Sequence, residues 1–430
     1  MTEIYILLAA FCAFIALGME IALALVAAVV AALVFSGAPT DLVTVPQKAV
    51  SSMARAWPLL TIPIFIMLGE VFRVSGIANR IIDVTNILVG RLPGGLAAVN
   101  IVSSFFFGGI SGSASADTAA IGGVMIPAMK AQGYPSRFAT IVTITSSTLA
   151  PIVPPSILMI LIAWVTEQSV GDLFLAGYVP GFLTMLGLCV LSIAISVRHD
   201  YPRHPAPPFR EAVRLVLDAA PALLTPFIIV IGIVTGVVTV VESAALALAY
   251  SFVIAIFHYR SLRLNDLVEV IQSTVRTTAF VGLLLAFAAT FSWLVTFAGL
   301  PDRVGALIED IQIGPTAFML VCMIIFLILG CFLNAGEIVI MTMPVLFPTA
   351  IALGIDPVHF SIVSALSMVI GNVTPPVGLC LFIGCSISGD RVEDLIGPMI
   401  PFIAVMVLVI VMLIFIPDLV LFVPRAFGYQ

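Results

Sequence analysis

Two stretches of this chain are apolar enough for a membrane yet are broken where a membrane helix should be smooth. Gly108 to Ser156 opens with a run of small and hydroxyl residues, Ser111 to Asp117, and closes on the proline break Pro151 to Pro155. Leu329 to Gly378 repeats the design, with a polar cluster around Asn334 and the pair Pro375-Pro376. Irregular backbone and prolines at membrane depth are tolerated only where they are buried in protein or line a cavity. Paired interrupted segments in the two halves of a chain point to a transporter's binding site.

The surrounding composition fixes the class. The chain has 430 residues, 61% hydrophobic and 9% charged, with mean hydropathy +1.24. Soluble domains carry roughly 25% charged residues, so this is an all-α polytopic membrane protein. The apolar runs are too long for the alternating strands of a membrane barrel. No basic region and small-residue cleavage site precede the first apolar run, so no cleaved signal is expected. The net charge of −6 is spread over loops and argues against nucleic acid as a partner. The six cysteines have no metal or redox spacing and read as small lipophilic residues. No phosphate-cradling Gly-Lys-Ser/Thr loop and no catalytic pairing is present, so neither ATP hydrolysis nor another enzymatic activity is expected.

The two stretches belong to one unit used twice. Pro154-Pro155 stands 221 residues before Pro375-Pro376, and Pro127 and Gly133 stand 221 before Pro348 and Gly354. Glu20 and Glu242, each inside an apolar stretch, are 222 apart. In each unit the apolar pattern predicts an opening stretch, an amphipathic connector, a span and a second amphipathic segment. A hairpin with its tip at Ser111 to Asp117 or Asn334 to Gly336 follows, then a helix broken at the prolines, then a last span. The opening stretch Ile4 to Phe35 is either one long helix or two short ones meeting near Glu20. Glu20 and Glu242 are then better placed in turns than as proton sites.

Charge supplies orientation. Lys130 and Arg137, then Arg198, Arg203, Arg210 and Arg214, mark cytoplasmic connectors. The matching hairpin base in the second unit, Ala352 to Phe360, has no Lys or Arg and reads as outside. The two units are therefore expected to be inverted. Inversion demands an odd number of crossings, about five per unit plus one re-entrant hairpin, and so favours two short helices in Ile4 to Phe35. The Asp390 to Asp394 loop should be inside but carries three acids and one Arg.

The tips and breaks are the chemical candidates. An interrupted helix exposes carbonyls that ligate a cation at one end and N–H groups that attract an anion at the other. Gly112, Ser113 and Ser115 with the carbonyls of Pro151 and Val153 would form one all-oxygen sodium site. Asn334 and Gly336 with Gly371 and Thr374 would form a second. Ser111, Asp117, Pro154, Pro155, Pro375 and Pro376 would bound the substrate between them. Against this, small residues also serve tight helix packing, Ser back-bonds to its own helix, and Asp117 serves equally as a cap.

The segments GGISGSASADTAAIG, IPAMKAQGYPSRFA, LAPIVPPSILMILIA, DLFLAGYVPG and NVTPPVGLCLFIG resemble the large membrane subunit of tripartite ATP-independent periplasmic (TRAP) transporters, over nearly the whole chain. The resemblance implies a sodium-coupled importer of organic acids (dicarboxylates, sialic acid, sugar acids or keto acids) in a bacterial inner membrane. It implies a small membrane subunit, not fused here, and a periplasmic solute-binding protein as partners. No cofactor is implied beyond sodium as coupling ion. It also implies an elevator in which residues 94–197 and 316–430 form the transport domain and residues 1–93 and 198–315 the scaffold and arms. The competing class is a passive channel or a non-transporting structural subunit.

Overall fold

The computed structural model describes residues 2–36, 42–55, 57–202, 208–375 and 378–429. Arg203 and Pro376 lie outside the described residues, which are helical with no strand.

The first unit begins with α1 (Thr2–Ala16) and α2 (Ile21–Ser36), so the opening stretch is two short helices. They are joined at Gly18, which adopts the positive φ of 79° that a chain reversal needs, and Glu20 sits in that turn. Then come α3 (Thr44–Arg55), α4 (Thr61–Val74) and α5 (Ile77–Val89), the last two bent by 74° against each other. The hairpin is α6 (Gly95–Ser111) and α7 (Ala114–Ala131). The broken helix is α8 (Ser136–Ser146) and α9 (Ile157–Thr166), and the unit closes on α10 (Val170–Arg198).

The second unit repeats the order. It has α11 (Phe209–Val234) and α12 (Val240–Val253), one long α13 (Leu264–Phe297) in place of α3 and α4, and α14 (Leu300–Ile311). A second hairpin, α15 (Pro315–Gly330) and α16 (Ala335–Ala352), and a second broken helix, α17 (Pro357–Gly371) and α18 (Leu379–Ser388), follow. The last span is α19 (Val392–Phe415), followed by the short α20 (Asp418–Ala426). Glu242, unlike Glu20, lies within the helix, in the first turn of α12: its carboxylate accepts the Thr239 N–H at 2.8 Å and closes a capping box there.

Among the described residues six helices are long and apolar enough to cross a membrane, seven if α4 and α5 count as one span. The other expected crossings are built from shorter helices, such as α8 with α9 and α17 with α18, because the breaks divide them.

Helices α6 to α10 and α15 to α19 pack as one group: α18 lies on α7 and α8, α16 on α9, and α19 on α8 and α10. A second group joins α1 to α4 with α11 to α13, and α13 touches α16 of the first. The first group is rich in buried hydroxyls. Thr140, Thr143, Thr145, Ser147 and Thr148 on and after α8 are all buried and donate to carbonyls three or four residues back in their own helix. That back-bonding removes the cost of burying a polar group in an apolar bundle.

The acidic Asp390 to Asp394 loop finds its partners at the base of the first hairpin. Lys130 donates to the Ser388 carbonyl at 2.8 Å, and Ser136 and Thr140 donate to the Asp390 carboxylate at 2.9 and 2.8 Å. Arg137 pairs with Asp394 at 3.0 Å. Burial opposes ionisation of Asp390, but hydrogen bonds from Thr140, Ser136 and Ser388 and the charge of Lys130 hold its carboxyl below the ordinary value. At the other end of this group Gln168, before α10, donates to Ser361 on α17 at 2.6 Å. Asp356 caps α17 there by accepting the N–H groups of Val358 and His359.

Candidate functional site

Both hairpin tips are pressed onto their broken helices by residues without side chains. A Cβ on Gly108 would stand 2.7 Å from the Ala150 Cα, and one on Gly112 would stand 3.0 Å from the Pro155 carbonyl oxygen. In the second unit a Cβ on Gly330 would stand 2.6 Å from the Gly371 Cα. Ala150 and Gly371 are 221 residues apart and Gly108 and Gly330 are 222, so this backbone contact recurs within one residue of the offset set by the proline pairs. The chain reverses at Gly112 with φ 58°, a conformation that only glycine adopts readily.

The reversals bring four helix N-termini to one cavity of about 280 Å³. Ser113 caps α7, its hydroxyl accepting the Ala116 N–H at 3.5 Å and lying 3.1 Å from the Ser115 hydroxyl. Ser156 caps α9, accepting the Met159 N–H at 3.2 Å and donating to the Pro151 carbonyl at 2.5 Å. Asn334 caps α16 in a capping box, with its N–H donating to Glu337 at 2.9 Å. Gly378 precedes α18, whose Leu379 and Cys380 also face the cavity. The opposite wall is α13, with Thr277, Phe280 and Leu284, and Ile66 of α4. No lysine or arginine lines the cavity among the described residues. Four N-terminal dipoles point toward it, each worth about 0.3–2 kcal/mol to an anion, and they act against the carboxylate of Glu337, which also lines it.

Of the expected sodium ligands, Gly112, Ser113, Ser115, Pro151, Asn334 and Gly336 line this cavity together. Val153 does not: it is buried, with its methyls against Gly109 and Gly181. Gly371 is taken up by Gly330, and the Thr374 hydroxyl donates back to the Ile370 carbonyl at 2.9 Å. Among the expected substrate residues, Ser111 lies on a neighbouring crevice with Glu70 and Arg73, and its buried hydroxyl has no partner. Pro154 and Pro155 turn their carbonyls to Gly109 and Gly112, and Pro375 is half-buried beyond Thr374, outside the cavity lining. Asp117 is fully buried away from the cavity, facing Ser104 and Ser147 without a well-formed hydrogen bond to either carboxylate oxygen.

Two strong hydrogen-bonding side chains in the lining escaped the sequence analysis, Glu337 and Asn372. Asn334-Ala-Gly-Glu337 is a capping-box pattern that marks Glu337 for the start of α16. Asn372 stands next to Gly371 in the same polar break, and its amide oxygen is buried without a partner.

Residues 8–419 match the family described as the tripartite ATP-independent periplasmic transporter, DctM component. This chain belongs to that family. It is 34% identical over 399 residues to the C4-dicarboxylate TRAP transporter large permease protein DctM of Pseudomonas aeruginosa, covering 91% of this chain and 93% of the relative. It is also 34% identical over 372 residues to the sialic acid TRAP transporter large permease protein SiaM of Vibrio cholerae, covering 86% and 87%. The 2,3-diketo-L-gulonate TRAP transporter large permease protein YiaN of Escherichia coli is 32% identical over 407 residues, covering 95% of each. The crystal structure of the Alcanivorax borkumensis YdaH transporter superposes with a TM-score of 0.65 at 14% identity, over 85% and 86% of the two chains, and so shares the fold. The relatives are permeases and not enzymes, and with its apolar spans this TRAP permease is a multi-pass protein of the bacterial inner membrane. Large permeases of the family work with a small membrane subunit and a periplasmic binding protein.

Proposed function

We propose that this permease imports a small organic acid by sodium symport, taking it from a periplasmic solute-binding protein and working beside a small membrane subunit. The observation that carries this is the single cavity at which both hairpin tips and four helix N-termini meet. N-termini suit a carboxylate, and the carbonyls, hydroxyls and amides at the tips suit a hard, weakly charged cation. Dicarboxylates, sialic acid and sugar acids, the cargo in the relatives' names, fit that chemistry.

Two sodium ions would sit at the two tips, one served by Ser113 and the other by Asn334, with the anion between them. The two units would be inverted in the membrane. The linkage of Lys130 to the Ser388 carbonyl and of Gln168 to Ser361 supports this, since the two bonds join the units at opposite ends of α17 and α18. Residues 94–197 and 316–430 would then move as the transport domain against α1 to α4 and α11 to α14.

The test is uptake by liposomes containing the permease complex, with its binding protein and substrate outside and an imposed sodium gradient. Accumulation should follow the gradient; uptake that runs equally on potassium and ignores the gradient would sink the proposal.

A further inference from the structure

The crevice beside the cavity, about 270 Å³ in volume, is built almost wholly by the first unit. It shares Ser113, Ser115, Ile157 and Thr277 with the cavity, so the two spaces are continuous. One wall is a stripe of α7, Ser113, Ala116 and Ala120; the other is a stripe of α4, Ile66, Gly69, Glu70 and Arg73. Among the described residues no part of the second hairpin lines it, so the Ser113 tip opens onto it and the Asn334 tip does not. The crevice follows α7 away from the tip and ends at the last turn of α4, where Arg73 lies. Lys130 at the end of α7, with Arg80 and Arg91 after α4, marks that end as cytoplasmic.

Oxygen lines the way. The Ser111 hydroxyl is buried, 4% exposed, and has no hydrogen-bond partner; the Ser113 and Ser115 hydroxyls follow toward the cavity. A buried hydroxyl without a partner is costly, and a cation beside it supplies one. At the mouth Arg73 is held between the carboxylates of Glu70 and Glu269, each at 2.8 Å. Two carboxylates against one guanidinium leave a net negative charge there. No other lysine or arginine lines the crevice among the described residues. A narrow cleft of one sign gathers ions of the opposite sign and turns away its own.

We infer that this crevice is the cytoplasmic way out for the sodium ion of the first tip. Ser111 is a stepping ligand, and Glu70 is the charge that draws the ion and rejects a carboxylate. This rests on the proposed sodium symport and deepens it: the ion at Ser113 has a way out apart from the cargo, while the ion at Asn334 shares the cavity with it.

The test needs no transport. Ser111→Cys in the permease complex is modified in inside-out membrane vesicles by methanethiosulfonates that carry a trimethylammonium, no charge or a sulfonate. Each rate is divided by the rate with free cysteine, and the complex without Ser111→Cys supplies the background of the six native cysteines. The cationic reagent should react about tenfold faster than the anionic one, and sodium should slow both more than potassium does. Glu70→Gln should lower the cation-to-anion ratio by about three- to tenfold and leave the uncharged reagent's rate in place, which the loss of a merely structural ion pair would not do. If Ser111→Cys or Glu70→Gln fails to fold, Ala120→Cys and Glu269→Gln are read in the same way. Equal normalised rates, a ratio unchanged by either glutamate variant, slowing by sodium no greater than by potassium, or faster modification in right-side-out vesicles would each overturn the inference. A charge preference that stands while liposome uptake ignores the sodium gradient would instead sink the symport on which it rests.

Discussion

Gly330 and Gly371 meet backbone to backbone, so that a Cβ on Gly330 would fall 2.6 Å from the Gly371 Cα. Real Cβ atoms do not approach so closely, and both neighbours are main chain that cannot rotate aside. Gly330→Ala and Gly108→Ala should each destabilise the permease by about 1–3 kcal/mol, the usual cost of overpacking. Gly123→Ala on α7, where a Cβ would meet nothing within 4 Å, should be neutral. Thermal unfolding of the three variants in one detergent checks this, and equal midpoints would refute the close seam.

Ser113 and Asn334 are 221 residues apart and both face the cavity. Ser113→Ala and Asn334→Ala should raise the sodium concentration for half-maximal uptake ten- to a hundredfold, the equivalent of about 1.4–2.8 kcal/mol. With sodium and cargo coupled as proposed, cargo affinity should fall with sodium affinity. Each residue also caps a helix, worth about 1 kcal/mol, so Ser113→Thr and Asn334→Asp serve as cap-preserving controls. A sodium midpoint unchanged in both alanine variants would leave these residues as caps alone.

Ala131 ends α7 and Ala352 ends α16, again 221 residues apart, and both are exposed. If the units are inverted, cysteines at these positions should react with an impermeant thiol reagent from opposite faces of the membrane. Labelling of both from the same face would end the inverted arrangement.

Asp390 joins the α18–α19 loop to Ser136 and Thr140. Its carboxyl is held below the ordinary value, so its contribution is present at neutral pH and lost as pH falls through the lowered value. Asp390→Asn should cost about 0.5–1.5 kcal/mol at pH 7, the worth of an ordinary hydrogen bond. The gap between wild type and variant should close on acidification. A gap that stays constant down to pH 3 would show that the charge of Asp390 plays no part.

Much of this was legible in the chain itself. The paired prolines and their common offset located both hairpins and both breaks, because prolines and small polar residues inside apolar runs have few other uses. The rotation of the helices at the site was not legible. Gly371 turns to Gly330 while its neighbour Asn372 faces the cavity, a difference of one residue and about 100° around a helix. A helix apolar on every side carries no stripe that fixes which face points inward. Val153 lies in the irregular break between α8 and α9, where no helical period indicates which way a residue faces. Glu337 stands one residue past the small, oxygen-rich tip, and only its capping-box spacing from Asn334 marks it in the chain.

The two halves of the bundle are fastened at both ends, by Lys130 to the Ser388 carbonyl and by Gln168 to Ser361. In mechanical terms this is a braced frame and not a hinge. A load on either half is carried at both ends, and tilting one half against the other requires both fastenings to part in the same event.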